Sequence, residues 1–410
     1  MRTLLSINNY YYRRGGAETV FFEHNRILEK DGWRVIPFAM KHPKNIFSEY
    51  EKYFVDEIEF GSDYSMAKKI INAQKIIYSF ESQDKIKELI KKYRPSIAHA
   101  HNIYHHLSPS IFSVLKKMGV PTVLTLHDLK IACPAYKMLS FDGLCERCNK
   151  GGIKNVIINK CIKKSIILSS VVFFEAFLHN MLKTYSESVD KFIVPSKFYE
   201  DKLVEWGWPR EKFFHVPNFV DTGQAEMAPA ECGKAYIFAG RLAVEKGVAT
   251  FIKAIASENL EGWIVGTGPD ESNLKQLALK LNANIQFFGH QTKDGVFDLV
   301  KKSRAMVLPS EWYENAPLSI MEAYSLGVPA IGSSIGGIPE IIIDGETGWL
   351  FESGNFEELA RCLISVREMT DTEVRERGMR GSALMRSKFS ALKYKEKISE
   401  IYKSLGGSNV

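Results

Sequence analysis

Residues 305–322 read Ala-Met-Val-Leu-Pro-Ser-Glu-Trp-Tyr-Glu-Asn-Ala-Pro-Leu-Ser-Ile-Met-Glu, and their order sets the fold. Ala305–Leu308 is an apolar run of strand length. A polar turn follows, and Asn315 with Pro317 marks a helix start. Asn is a good N-cap, and Pro suits the first turn, where its missing N–H costs nothing. The helix is expected to stop at Gly327. The same strand-turn-helix unit recurs along the chain. Thr3–Ile7, Val35–Phe38, Ser96–Ala100, Val120–Leu126 and Phe192–Val194 are strand-like in the first half. Tyr236–Ala239, Trp263–Gly266, Ile285–Phe288 and Pro329–Ile331 continue the rhythm in the second. Such alternation builds parallel sheets covered by helices on both faces. Because the rhythm restarts after residue 195, the chain is expected to be α/β with two doubly wound domains and a cleft between them. In such sheets ligands sit beyond the carboxyl ends of the strands, so the loops there are where chemistry is sought.

Composition narrows the class. The 410 residues are 45% apolar, 25% charged and 12% aromatic, which excludes a disordered chain. No run of about 18 uncharged apolar residues is present, so no membrane-spanning helix is expected. The opening MRTLLSINNYYYRRGG does not read as a secretory leader, and a cytoplasmic protein with reduced cysteines is expected. The net charge of +6 is uneven: residues 1–220 hold 33 Lys and Arg against 23 Asp and Glu, and the remainder 21 against 25. Residues 91–170 alone hold 13 basic and 3 acidic side chains. That field attracts phosphate, nucleic acid or an anionic membrane face, or is simply a solvated lysine-rich surface.

Four loops carry candidate chemistry. Helix amides at Leu318 and Ser319 would bind an anion such as a diphosphate. Glu314 before that helix and Glu322 within it would each hold hydroxyls of one extended ligand. Gly240-Arg241 with Glu245-Lys246-Gly247, directly after a strand, fits a phosphate clamp, Arg supplying a fixed fork and Lys a point charge. Arg13-Arg14-Gly15-Gly16-Ala17-Glu18 stands at the first strand-to-helix turn, where two glycines would let the backbone approach a phosphate, or make only a tight turn. His127-Asp128 ends the run Val120–Leu126; His99, His101, His105 and His106 rank below it. The dinucleotide fingerprint G-x-G-x-x-G, a P-loop and a D-x-D metal pair are all missing from the sequence.

Taken together these motifs resemble a family. Pro309-Ser310, Glu314, Glu322-Ala323, Gly327-Val328-Pro329, Gly336-Gly337, Glu340, Gly345 and Thr347-Gly348 look like the donor domain of family-four retaining glycosyltransferases. Pro217-Asn218-Phe219-Val220-Asp221, Gly240-Arg241, Glu245-Lys246-Gly247 and Gly266-Thr267-Gly268-Pro269 match in the same order, with Asn218-Phe219 where the family usually has Asn-Gly. Arg14-Gly15-Gly16-Ala17-Glu18 and Leu126-His127-Asp128 match in the first half. The resemblance implies the GT-B fold and transfer of a sugar from a UDP- or GDP-linked donor with retained anomeric configuration. It implies that Arg241 and Lys246 neutralise the departing diphosphate without a catalytic metal. Gly15, Gly16, Asn315, Leu318 and Ser319 would complete the donor cradle, and Glu322 would bind the ribose. Glu314 would face the donor sugar, and His127 the reaction centre. The expected organisation is an acceptor-side domain at 1–197, with a Cys-rich, basic insertion at 130–182, and a donor domain at 198–385. A C-terminal segment at 386–410, helical over Phe389–Leu405, would return to the first domain.

Cys133, Cys145, Cys148 and Cys161 have the spacing of a closed four-cysteine zinc site in a segment too short for its own core. Free thiols are the alternative. Ile153–Leu182 is apolar, with Lys154, Lys160, Lys163 and Lys164 grouped at its start. It reads either as a basic helix lying on an anionic membrane or as a helix packed in the core. The membrane reading suits a lipid-linked oligosaccharide acceptor and a peripheral location at the inner membrane face. A nucleotide-sugar epimerase or hydrolase on the same fold is the nearest rival. Nucleic-acid binding by the basic stretch is the other, but the stretch lacks the aromatic interleaving that base stacking requires, so no nucleic-acid partner is expected.

Overall fold

The computed structural model describes residues 2–58, 65–140, 142–220 and 232–406; Asp221, the last residue of one quoted motif, lies outside them. The chain divides into two compact units. Unit one comprises residues 1–195, 199–216 and 395–410, and unit two residues 196–198 and 217–394.

Unit one is built on β1 (Thr3–Ile7), β2 (Arg34–Phe38), β3 (Ile97–Ala100), β4 (Thr122–Thr125), the two-residue strands β5 (Leu139–Ser140) and β6 (Gly143–Leu144), β7 (Lys191–Val194) and β8 (Phe213–His215). Six of these form one parallel sheet in the order β2-β1-β3-β4-β7-β8, while β5 and β6 pair as a separate antiparallel hairpin. Every residue of β1, β3 and β4 is buried, as expected for strands covered on both faces. Pro37, which cannot donate to a ladder, sits on edge strand β2.

Unit two has β9 (Tyr236–Ala239), β10 (Gly262–Val265), β11 (Ile285–Gly289), β12 (Ala305–Leu308), β13 (Ala330–Ser333) and β14 (Gly348–Phe351). Their order β11-β10-β9-β12-β13-β14 is that of the dinucleotide-binding sheet. The direction of strand addition reverses between β9 and β12, which opens a crevice beyond their carboxyl ends.

Several expectations need correction. The division falls at 216/217 rather than 197/198, because β8 pairs with β7 and carries residues 199–216 into unit one. Residues 386–394 go with unit two; only residues from 395 onward count with unit one. There Lys395 pairs with Asp31 at 2.8 Å, Lys397 donates to the His215 carbonyl, and Tyr402 is buried. The strand-length runs of β8 and β14 were not anticipated, since β8 is three residues and β14 is preceded by an irregular turn.

The apolar stretch Ile153–Leu182 is not one helix. It breaks into Asn155–Ile158 and Ile166–Met181, with Lys160, Lys163 and Lys164 all at positive φ in the turn between them. Helix Ile166–Met181 is amphipathic in the unusual sense. Its inward positions are Ser169, Val172, Glu175 and His179. Glu175 pairs with Lys130 at 2.8 Å in the interior, and His179 bonds Thr184 and the Ile77 carbonyl. Its outward positions are apolar: Ile167 is 76% exposed, and Phe174, Phe177 and Met181 at least half exposed. Helix Met66–Ile77 packs beside it and adds the exposed Ile70 and Ile71.

Candidate active site

In unit two the loops after β9, β10, β11 and β12 converge on the crevice. Gly266 has φ +127°, and a Cβ there would stand 2.0 Å from the Gly240 carbonyl oxygen, so the β9 and β10 loops pass in backbone contact. Beside them lies a pocket of about 250 Å³, lined among others by Gly240, Gly266, His290, Gln291, Ser319 and Glu322. Burial raises the Glu322 carboxyl above the usual carboxylate range, with Lys293 opposing. A half-buried acid with no strong cation beside it is suited to accept hydrogen bonds from ligand hydroxyls.

Next along the same helix entrance, Glu314 is buried and ion-paired. Lys246 Nζ donates to its Oε1 at 2.6 Å and Ser310 Oγ at 2.6 Å. Burial works to raise this carboxyl, but the charge and hydrogen bond of Lys246, then Ser310 and Trp312, outweigh it and hold the group below the usual range. The Lys246 ammonium also stands 5.2 Å from the centre of the Trp312 ring. Of its three N–H donors, one is used on Glu314. Arg241 is half exposed and bonds Glu245 at 2.5 Å. The loop holding Glu314 is fixed from behind: Gly337 N–H donates to the Glu314 carbonyl at 2.8 Å, and Gly336 at φ +61° lies where a Cβ would meet the Glu314 backbone at 2.3 Å.

Asn315 is not the helix cap expected from the sequence. The helix begins at Leu318 with Pro317 at the N-cap and no side-chain cap, while Asn315 Oδ1 accepts from Ser196 Oγ at 2.9 Å. Pro317 enters the helix from an extended backbone, and the Asn315 carboxamide braces the loop through Ser196 instead of capping the helix. The first-turn amides at Leu318 and Ser319 are therefore not engaged by a capping side chain, which is the arrangement an anion uses.

Unit one presents a different surface at its strand ends. His127 follows β4, and its Nε2 stands 2.9 Å from His101 Nδ1. His99 bonds Thr125 at 2.7 Å and the Tyr402 hydroxyl at 2.6 Å, and that hydroxyl also reaches His24 Nε2 at 3.1 Å. Burial depresses all four imidazoles, His127 to about 4 and His24 to about 3, so each is neutral near pH 7. His101 Nε2 has no hydrogen-bond partner among the described residues.

Gly15 and Gly16 cap and open helix Gly16–Lys30. Gly15 has φ −166°, an extended backbone open to any residue, and a Cβ there would meet only Glu18 Oε2 at 3.6 Å. Glu18 itself sits buried in the first turn; burial raises its carboxyl, while its own backbone amide, Arg14, Asn8 and Asn102 stabilise the charge. The glycines thus stand at a helix start that already hosts a carboxylate. The residues that sequence reasoning passed over are His290 and Gln291, after the β11 glycine, and Tyr402, whose partners His99 and His24 lie 303 and 378 positions away; His101, ranked low in the sequence, meets His127 from 26 positions away.

Comparison with known proteins gives the family and the fold. Residues 14–224 match the model described as Glycosyltransferase Family 4, and residues 224–378 that described as Glycosyl transferases group 1. N-acetyl-alpha-D-glucosaminyl L-malate synthase of Bacillus anthracis is 33% identical over 162 residues, 39% of this chain and 41% of that protein. The lipopolysaccharide core biosynthesis glycosyltransferase LpsE of Rhizobium meliloti is 26% identical over 234 residues, 54% of this chain and 65% of that protein. The chain thus spans less than two thirds of either relative. The structure of Anabaena Alr3699/HepE in complex with UDP-glucose superposes with a TM-score of 0.68 at 16% identity, covering 98% of this chain and 100% of that one.

Proposed function

The chain belongs to glycosyltransferase family 4 and has the GT-B fold, and from that premise we propose that it moves a hexosyl group from a nucleotide-diphosphate sugar to a lipid-linked glycan, with retention at the anomeric carbon and without a catalytic metal. The observation that carries the donor half is the pocket at the β9/β12 switch point with Glu322 in its wall, together with the Lys246–Glu314 pair on the loops that follow β9 and β12. Glu322 binds the ribose hydroxyls. The Leu318 and Ser319 amides receive the diphosphate. The acceptor hydroxyl oxygen bonds to the anomeric carbon as the bond from that carbon to the diphosphate oxygen breaks; the electron pair leaves with the diphosphate, which takes up the acceptor's proton, and the remaining donors of Lys246 and Arg241 meet the growing charge. Preorganised cations at such a position lower a barrier by several kcal/mol, on the order of a hundredfold or more in rate. Glu314 orients Lys246 and accepts from sugar hydroxyls. His127, being neutral, orients the sugar by hydrogen bonding rather than by charge.

The reading of a lipid-linked acceptor is favoured by the exposed apolar face of Ile167, Phe174, Phe177 and Met181, beside Lys160, Lys163 and Lys164. No helix among the described residues is long and apolar enough to cross a membrane. A helix lying in the headgroup layer, with lysines on the anionic phosphates, accounts for an apolar face turned to solvent. A product in surface polysaccharide synthesis at the inner membrane face fits that location. LpsE, which acts in lipopolysaccharide core biosynthesis, offers the parallel.

The test is a panel of UDP- and GDP-linked sugars in a thermal-shift assay, followed by transfer to extracted lipid-linked glycans. A ligand at 100 times its dissociation constant adds about 2.7 kcal/mol of stability. A shift with one base and one sugar is expected. Silence across the panel would sink the donor assignment, and turnover of the donor to an epimer or free sugar with no acceptor would favour the rival enzyme.

A further inference from the structure

The carboxyl ends of the adjacent strands β3 and β4 bring two imidazoles together. His101 follows β3 directly, its backbone N–H donating to the Ile7 carbonyl of β1 at 2.8 Å, and His127 stands two residues beyond β4. His101 Nδ1 and His127 Nε2 are 2.9 Å apart, so one of the two carries a proton and the other accepts the hydrogen bond. His101 has no exposed surface, whereas His127 is partly exposed. The His101 ring lies between two nearly parallel rings, His99 at 4.7 Å and 17° and His127 at 5.2 Å and 19°. Phe21 and His24 meet it edge to face. Its second nitrogen, Nε2, is buried with no hydrogen-bond partner among the described residues.

That orphan nitrogen decides where the proton sits. Protonated on Nε2, or on both nitrogens, His101 would bury an N–H with nothing to receive it. Orphaned N–H groups are rarer in protein interiors than under-used acceptors. The doubly protonated ring would also bury a charge. Protonated on Nδ1 alone, His101 buries only a lone pair and donates to His127. A cation on the bare nitrogen is a poorer account. No three of the sulfurs of Cys133, Cys145, Cys148 and Cys161, anticipated as a zinc site, stand within 4.8 Å of one another among the described residues; the trio that does is His24, His99 and His101. Yet His99 bonds Tyr402 and Thr125 through its two nitrogens, His24 Nε2 bonds Tyr402, and the trio holds no anion to balance an ion's charge.

We infer that His101 is a positioning residue that fixes His127 as its Nδ1–H tautomer. Nε2 of His127 accepts from His101, so the single proton of its neutral ring is on Nδ1. Free histidine in water favours the other tautomer, and the neighbour reverses that preference. The consequence rests on the sugar-transfer reading above: the hydrogen bond from His127 to the donor sugar runs from Nδ1–H to a sugar oxygen. A protonated Nδ1 cannot also take the acceptor hydroxyl's proton, which is why that proton goes to the diphosphate.

Nitrogen-15 NMR of the full chain, labelled at its ten histidine rings, reads the assignment without a ligand. His101→Leu and His127→Ala identify the two sets of signals. At about pH 7.5, above the ordinary histidine range, both rings are expected to show a proton-bearing Nδ1 and a bare Nε2, with scalar coupling between His101 Nδ1 and His127 Nε2. In His101→Leu the His127 proton should move to Nε2, and transfer should fall about fivefold to tenfold, the value of one hydrogen bond, with nucleotide Kd unchanged. His101→Asn places an amide N–H where Nδ1 stood and should restore the tautomer and most of the turnover, which a mere packing role for the ring would not do. Should the leucine variant fail to fold, the wild type and the asparagine variant still decide. A proton on His127 Nε2 in the wild type, a doubly protonated ring at either residue, or a His101→Leu chain that keeps full turnover after His127 has switched tautomer would each overturn the inference. Silence across the nucleotide-sugar panel with the expected nitrogen pattern would fail the sugar reading alone; the reverse tautomer in a chain that transfers sugar would fail this one alone.

Discussion

The strand ends of the two units use opposite electrostatics. In unit two the loops carry ion pairs, Lys246 on Glu314 and Arg241 on Glu245, around a pocket with a raised carboxyl. In unit one they carry rings with no charge: His127 on His101, and His99 and His24 on Tyr402. Nine of the ten histidines in the chain fall in unit one. The contrast teaches where charge is wanted. A departing diphosphate needs fixed cations, whereas a sugar hydroxyl needs directional donors that do not attract every passing anion.

Mutations can break or sharpen this contrast. Lys246→Ala strands Glu314 as a buried, unpaired acid and removes a cation from the leaving group. Turnover should fall on the order of a hundredfold to a thousandfold, with a smaller rise in KM, in steady-state kinetics. An equal loss in kcat and nucleotide affinity would place Lys246 in ground-state binding instead. Glu322→Ala comes next: hydrogen bonds to a charged group are worth about 1.5–3 kcal/mol, so nucleotide Kd by calorimetry should rise by roughly ten- to a hundredfold. Unchanged affinity would remove the ribose from that pocket. His127→Ala is expected to lower transfer by about tenfold or more while leaving nucleotide affinity intact, since its neutral ring contributes orientation. A matching loss of affinity would show that it only shapes the fold.

The last test is one of pH and reads stability rather than turnover. An imidazole buried and neutral, with its folded pKa depressed, favours the folded state at high pH. The unfolded chain binds a proton below about 6.5 while the folded chain does not, so stability falls as pH drops through that window. His24, His105 and His106 are pushed to about 3 and His127 to about 4. Each contributes a loss of about 1.4 kcal/mol per pH unit between pH 6.5 and its folded value. Calorimetry at pH 7.5 and 5 should show the transition of unit one moving down much further than that of unit two. Parallel shifts in both would erase the distinction.

The alternation of apolar strands and helices was readable in the sequence because strands buried on both faces leave continuous apolar runs such as Leu4-Leu5 and Val307-Leu308. Glu314, Glu322, Lys246 and Arg241 could be found because loops at strand ends are short and carry their functional residues within a few positions of the strand. What escaped was long-range. Nothing near His101 announces His127, and nothing near Tyr402 announces His99. The cap expected at Asn315 is not there because Asn serves equally well as a loop brace, and only the partner, Ser196, decides between them. The continuous reading of Ile153–Leu182 failed on Lys160, Lys163 and Lys164, whose left-handed backbone no propensity would favour.

Tyr402 lies on a helix that spans Ala391–Gly406, yet its hydroxyl lies among side chains from the first 130 residues. During synthesis those early residues must wait for all of unit two to be made before this bond can close. The nascent first half therefore spends that interval with His24 and His99 lacking their shared hydroxyl partner, and any chaperone or crowding effect on the ribosome acts on an unfinished core. A chain cut after residue 394 should leave the first unit permanently in that immature state.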